Sequence, residues 1–235
     1  MKAIDIYNKL CQFSDDDLSN VASLEHILCT DIPLFFITDP NGVKQIAWAK
    51  GTFPEEAYLY ADKMNELTGL QNPNEFANLL AILYQHRNKI TRYVEVGTYK
   101  GATFYLMDAY LRRVAPNYKK GIAIDLYRVP LELDEYKSRF DVEFYKQSSE
   151  SVTLQYEPGT VCFIDGRHKA AAAKLDFERF SQWSDIVVMH DVVGMNGVRG
   201  VWEKASAAFT EKAVFNGRNK YPGSSPMGIG IIVMR

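Results

Sequence analysis

Short apolar runs recur from about residue 92 onward, separated by longer segments of mixed polarity. These runs predict β-strands at residues 92–96, 121–125, 141–146, 161–165 and 186–190. Short strands that alternate with helical segments are typical of a parallel sheet with helices on both faces. The C-terminal end departs from this alternation, because residues 213–215 and 228–234 flank a loop rich in Gly, Pro and Ser. They predict an antiparallel hairpin, so we expect a doubly wound, mostly parallel α/β sheet of seven strands.

The N-terminal part of the chain has a different sequence pattern. Ser14–Asp17 predicts the start of a helix, and Asp39–Gly42 predicts a turn between two apolar runs. Asn72–Glu75 predicts a helix cap with proline at the first helical position. We therefore divide the chain into a mixed helical and extended cap, residues 1–74, and an α/β domain, residues 75–235.

Composition limits the classes of partner. Apolar residues make up 47% of the chain and charged residues 24%, as in ordinary soluble proteins, and the formal net charge is −2. That charge gives no reason to expect nucleic acid or an anionic membrane as a partner. No run approaches the roughly 18 apolar residues of a membrane span, and no signal peptide is evident. The three cysteines are widely spaced and match neither a disulfide framework nor a metal site, so we expect a cytoplasmic protein.

One turn carries the most specific chemistry. The predicted strand 92–96 contains Glu95 and leads into the turn Gly97–Gly101, which is followed by a predicted helix, residues 102–114. Glycines let the backbone approach a ligand closely, and a helix N-terminus favours negative charge. The next predicted strand ends in Asp125, and a carboxylate there suits the two hydroxyls of a ribose. Together these features predict a site for a nucleoside cofactor.

Two further strands end in polar groups able to bind a metal. The strand 161–165 ends at Asp165 and is followed by His168, and the strand 186–190 ends in His190 with Asp191 next. The carboxyl ends of parallel strands share one edge of a sheet, so these side chains are expected to converge. Carboxylates and imidazoles could form a site for Mg²⁺ or Mn²⁺, and a bound cation would make a substrate hydroxyl more acidic.

These features resemble the class I S-adenosylmethionine-dependent methyltransferases, which have a Rossmann-like fold. The resemblance rests on the glycine turn, the acid after the second strand and the terminal hairpin, and it covers about residues 75–235. It implies S-adenosylmethionine as the cofactor, with Asp125 at the ribose and Ser148 near the adenine. The cofactor-binding residues that it implies are Glu95, Gly97, Thr98, Gly101, Asp125, Ser148 and Asp165.

The strand-end acids and histidines narrow the resemblance. They are similar to those of a small-molecule branch that includes macrolide-sugar O-methyltransferases and cephalosporin-hydroxylase-like proteins. This resemblance implies that Asp165, His190 and Asp191 bind a divalent cation and that His168 is the general base. His190 stands where metal-binding relatives often carry a carboxylate, which leaves the identity of the ion open. The expected reaction is O-methylation of a small polar acceptor.

Several alternatives remain at this point. Asp125 also fits a nicotinamide-dependent oxidoreductase, although residue 99 is tyrosine where the usual pattern has its second glycine. A non-catalytic or diverged protein could keep the same fold, because a fold does not fix a reaction. Asp125 and Asp165 could cap helices, and His190 could bond only to backbone. The acceptor is not readable from the sequence, and a homo-oligomer is compatible with it.

Overall fold

The computed structural model describes residues 1–38, 44–46, 67–69, 71–217 and 227–235. Within these residues the helices are α1 (Ala3–Leu10), α2 (Asp15–Ser19), α3 (Val21–Thr30), α4 (Pro73–His86), α5 (Ala102–Val114), α6 (Leu133–Lys137), α7 (Ala170–Phe180) and α8 (Asn196–Ser206). The strands are β1 (Phe36–Thr38), β2 (Lys44–Ile46), β3 (Arg92–Val96), β4 (Lys120–Ile124), β5 (Val142–Tyr145), β6 (Thr160–Ile164), β7 (Ile186–His190), β8 (Lys212–Phe215) and β9 (Ile229–Val233).

The main sheet has seven strands in the order β5-β4-β3-β6-β7-β9-β8. β5, β4, β3, β6 and β7 are parallel, whereas β9 runs antiparallel to both β7 and β8. The predicted fold class and C-terminal hairpin are therefore confirmed. The predicted strands lie within one residue of the observed ones, and Asp125 comes directly after β4 rather than inside it.

Alternation along the central strands distributes side chains to two cores. On β3, Tyr93 packs into the core that includes α4 and α5, while Val94 and Val96 pack into the core that includes α7 and α8. This division follows from the two-residue period of a strand, whose successive side chains point to opposite faces. Every residue of β3, β6 and β7 is buried, as expected for parallel strands covered on both sides.

The N-terminal helices extend the first of these cores. Leu10 and Leu24 belong to the same buried cluster as Tyr93 of the sheet. The Tyr110 hydroxyl, on α5, donates to the backbone carbonyl of Leu18 at 2.6 Å. The predicted cap of α4 is confirmed, since the Asn72 side chain accepts from the Asn74 amide and Pro73 follows it. The predicted turn at residues 39–42 lies outside the described residues, although β1 and β2 pair antiparallel on either side of it.

A buried ionic network joins α5 to the edge of the sheet. Asp108 on α5 is fully buried, and its carboxylate accepts from the Arg112 guanidinium at 2.7 Å and from the Tyr136 hydroxyl at 2.8 Å. The Tyr118 hydroxyl is a further donor to it. Burial raises the pKa of the Asp108 carboxyl, although Arg112 and the hydrogen bonds oppose that effect. The network fixes α5, whose N-terminus lies at the glycine turn.

None of the helices described is both long enough and apolar enough to span a membrane.

Candidate functional site

The turn after β3 is built on glycines that no other residue could replace without strain. Gly97 has φ +88°, and a Cβ added there would lie 2.1 Å from the backbone oxygen of Asp165. Gly101 has φ +96°, and it is the residue that precedes α5. Residues other than glycine rarely adopt these positive φ values. The turn therefore brings its backbone against the end of β6, a contact that the sequence pattern did not predict.

Gly97→Ala is expected to destabilise the protein by at least about 3 kcal/mol, because it adds both a backbone penalty and a severe clash. Gly200→Ala is the matched control. Gly200 lies within α8, and a Cβ there would meet nothing within 4 Å. Alanine at that position should be neutral or stabilising by up to about 1 kcal/mol. Urea unfolding of both variants measures the difference, and equal stabilities would contradict the role assigned to the turn.

An open cleft of about 860 Å³, solvent space at its mouth included, lies over this turn. It is formed by the residues that follow β3, β4, β5 and β6, together with the start of α7. Its lining includes four predicted site residues, namely Gly97, Asp125, Ser148 and Asp165. It also includes Tyr127 and Asp176, which the sequence patterns do not single out. The cleft therefore lies at the carboxyl ends of the strands, where open α/β sheets bind ligands.

Asp125 holds the loops that form one wall of the cleft. Its Oδ2 accepts from the Tyr99 amide at 2.8 Å, and its Oδ1 accepts from the amides of Tyr127 and Arg128 at 2.8 and 2.9 Å. An ionised carboxylate has about four acceptor sites, so these three bonds leave room for one further donor. Asp125 therefore caps the turn after β4 and not a helix, since α6 begins only at Leu133, and its side chain lies at the cleft.

The remaining predicted cofactor residues occupy different positions. Glu95 is buried on the face of β3 that carries Tyr93, and the Tyr93 hydroxyl donates to it. Burial raises the pKa of the Glu95 carboxyl well above its usual range.

Thr98 lines a second, smaller cavity beside the turn. Ser148 lines the cleft and accepts from the Glu150 amide at 3.4 Å, so it also caps the short helical turn Ser149–Ser151.

The acids and histidines that follow β6 and β7 converge, as predicted. His168 Nε2 lies 2.8 Å from Asp191 Oδ2 and 3.7 Å from Asp165 Oδ1. His190 Nδ1 lies 3.2 Å from Asp165 Oδ1 and 3.3 Å from Asp191 Oδ1. We refer to these four residues as the acid–imidazole cluster. His190 and Asp191 are almost fully buried, whereas 46% of the His168 side chain is exposed.

Charge and burial oppose each other within this cluster. The carboxylates of Asp165 and Asp191 raise the pKa of His168 to about 10. Burial alone would lower the pKa of His190, but the charge of Asp165 outweighs it and raises that pKa to about 9. Burial would likewise raise the pKa of the Asp165 carboxyl, yet His190 and His168 hold it well below its usual range. With no other ligand present, each imidazole therefore forms an ion pair with the carboxylates.

The cluster has the spacing of a metal site. Single ligand atoms of Asp165, His168 and Asp191 lie within 4.8 Å of one another. The family resemblance implies His190 as the third ligand, whereas this group contains His168. Asp191 also has φ +64°, a left-handed conformation that non-glycine residues rarely adopt and that is often found at functional sites.

Unpartnered buried atoms mark the same region. Among the described side chains, four buried atoms have no hydrogen-bond partner: Gln71 Oε1, His190 Nε2, Asp191 Oδ1 and, on α7, Arg179 Nε. Buried polar groups nearly always have partners, so each exception requires an explanation such as a missing water, ion or ligand. Three of these four atoms belong to the cluster or to Gln71, a residue that contacts it. Their concentration there indicates that the region binds something polar.

Two residues at the start of α4 belong to this region and were not predicted. Gln71 Nε2 donates to Asp165 Oδ2 at 2.8 Å. Glu75 is fully buried and accepts from the amides of Gly217 and Gly228 at 2.8 and 3.1 Å. The helix cap at Asn72 was recognisable from sequence. The direction in which the start of that helix points was not, because it depends on how α4 packs against the sheet.

No protein-family model matches the chain, and no curated protein matches its sequence. Its structure does resemble solved structures. The O-methyltransferase NovP aligns at 11% identity and a TM-score of 0.54, covering 91% of this chain and 97% of that one. A SAM-dependent O-methyltransferase from Thermotoga maritima, TM0748, aligns at 12% identity and a TM-score of 0.52, covering 83% of this chain and 76% of that one.

A third structure, cofactor-bound Rv0187 from MTB, aligns at 16% identity and a TM-score of 0.50, covering 77% of this chain and 89% of that one. At such low identities these alignments establish the fold and not the reaction. The chain therefore has the fold of S-adenosylmethionine-dependent methyltransferases.

Proposed function

We propose that the protein is an enzyme that transfers the methyl group of S-adenosylmethionine to an oxygen of a small polar acceptor, with a divalent cation at the acid–imidazole cluster. One observation carries the proposal. Asp165 lines the cleft above the glycine turn and also belongs to the cluster. A ligand in the cleft and a cation in the cluster would therefore meet at a single side chain. The shared fold and its O-methyltransferase neighbours support the same conclusion.

The cleft fits the proposed cofactor. The turn at Gly97 offers close backbone approach, the Asp125 carboxylate has capacity for a ribose hydroxyl, and Ser148 borders the end where the adenine would lie. S-adenosylmethionine supplies an activated methyl group that leaves sulfur by in-line displacement. The protein's main task is then to align the acceptor oxygen with that methyl group. Residues at four strand ends line the cleft from different sides and would fix that alignment.

The cluster fits a divalent cation. It combines two carboxylates with two imidazoles, and His190 Nε2 and Asp191 Oδ1 are buried without a hydrogen-bond partner. Mixed oxygen and nitrogen ligands favour Mn²⁺ or a later transition metal over Mg²⁺. Such a cation would acidify a hydroxyl bound to it. His168 cannot bind that cation through Nε2 and also accept a proton there, so it is either a ligand or the general base, and loss of Mn²⁺ affinity in His168→Gln would assign it as a ligand.

Calorimetry with S-adenosylhomocysteine, the demethylated product, tests the proposed cofactor. We expect the wild type to bind it and not NAD. Asp125→Ala should weaken binding by at least about tenfold, because it removes the ribose acceptor and frees three backbone amides that shape the cleft. Asp16→Ala is the matched control, since Asp16 is an exposed acid on α2. Binding of NAD alone would favour the oxidoreductase, and binding of neither would overturn the proposal.

A further inference from the structure

Neither the fold nor the proposed function explains why position 71 is a glutamine. Its side chain is 2% exposed, and it directly precedes Asn72, the cap of α4. An ionised carboxylate can only accept hydrogen bonds, so the amide NH₂ group of Gln71 must face Asp165. This fixes the orientation of the amide, and Oε1 points away from Asp165 with no partner.

Gln71 also lines a small cavity at the N-terminus of α5. The cavity has a volume of about 290 Å³, solvent space at its mouth included, and it shares Gly97, Tyr99 and Asp165 with the larger cleft. Its other lining residues are Thr68, Gly69, Gln71, Thr98, Ala102 and Thr103. One side of this cavity is formed by Asp165 and Gln71. The other side presents the first turn of a helix, whose free amides favour negative charge.

This polarity suits a group that carries a positive donor and a negative acceptor close together. An α-amino acid group has that arrangement, with its ammonium toward Gln71 and Asp165 and its carboxylate toward the helix. On the proposed function, the cofactor carries such a group at one end. Oε1 of Gln71 would then receive the hydrogen bond that it lacks.

We propose that Gln71 is a positioning residue that couples this cavity to the acid–imidazole cluster. Its Oε1 accepts a hydrogen bond from the amino group of the bound cofactor, while Nε2 holds Asp165 so that Oδ1 faces the two imidazoles. Occupation of the cavity therefore fixes the carboxylate that would bind the cation. The N-terminal segment, which also contributes Thr68 and Gly69 to the cavity, thereby becomes part of the site.

The coupling is measurable because binding linkage is reciprocal. In the wild type, saturating S-adenosylhomocysteine should strengthen Mn²⁺ binding by about tenfold, measured by calorimetry with Mn²⁺ as titrant. Gln71→Met is close to isosteric and has neither the donor nor the acceptor. In this variant the enhancement should fall below about twofold, although both ligands still bind. Gln182→Met is the matched control, since Gln182 is exposed and lines neither the cleft nor the smaller cavity.

A second arm uses the wild type with an analogue of S-adenosylhomocysteine that lacks the α-amino group. The analogue should bind without strengthening Mn²⁺ binding, as Gln71→Met does with the complete ligand. Circular dichroism and thermal melting of Gln71→Met establish that it folds. The proposal is overturned if Gln71→Met keeps the full enhancement, if the analogue produces it, or if wild type binds both ligands without any enhancement. Wild type that binds neither ligand would instead overturn the proposed function.

Discussion

Asp165→Asn is expected to weaken Mn²⁺ binding by at least about 100-fold. Loss of a residue that only hydrogen-bonds to a metal ligand usually lowers metal affinity by less than this. The substitution removes a charge that contacts both His168 and His190, and it places an amide where a cation needs an anionic ligand. The Gln71 side chain can still bond to the residue, so the local fold should persist. Calorimetry or electron paramagnetic resonance with Mn²⁺ measures the affinity, and circular dichroism checks the fold.

Asp16→Asn serves as the control for this substitution, and it should bind Mn²⁺ like the wild type. His168→Gln and His190→Gln then distinguish the two candidate imidazole ligands. The spacing of ligand atoms favours His168, so its substitution should cause the larger loss. Wild-type Mn²⁺ affinity in Asp165→Asn would show that the acid–imidazole cluster is an ion-pair network and not a cation site.

Asp108→Ala is expected to destabilise the protein by about 3–5 kcal/mol, because it leaves the Arg112 guanidinium without its buried partner. The Tyr136 and Tyr118 hydroxyls would also lose their acceptor. For a chain of this size, that change corresponds to a fall in Tm of about 10 °C. Urea unfolding measures the free energy directly.

Asp134→Ala is the control for Asp108→Ala, because Asp134 is an exposed acid on the neighbouring helix α6. Its substitution should change stability by less than about 1 kcal/mol. If Asp108→Ala unfolds at the same urea concentration as Asp134→Ala, the network contributes little and α5 is held by apolar packing alone.

Local patterns were sufficient to predict most of the sheet. Strand positions follow from short apolar runs, and the glycine turn is specified by two residues four positions apart, Gly97 and Gly101. The convergence of Asp165 with Asp191 was also predictable, since parallel strands end at a common edge. In each of these cases the information lies within one element or in a general rule about neighbouring elements.

The unpredicted residues depend on contacts between distant parts of the chain. Gln71 meets Asp165 across 94 positions, and Glu75 meets Gly217 across 142. Asp108 reads as one more charged residue on a helix, because nothing near it in sequence shows that every side of α5 is covered. The choice between His168 and His190 as ligand likewise depends on side-chain directions that the sequence does not contain.

The central claim is that one site binds the cofactor and the cation together, with Asp165 between them. The most direct measurement is the ¹³C resonance of S-adenosylmethionine labelled at its methyl carbon, bound to the protein in the presence of Mg²⁺ or Mn²⁺. Paramagnetic Mn²⁺ broadens resonances of nearby nuclei, so we predict a sharp bound signal with Mg²⁺ and a strongly broadened one with Mn²⁺. A bound signal of equal width with both ions would contradict the account.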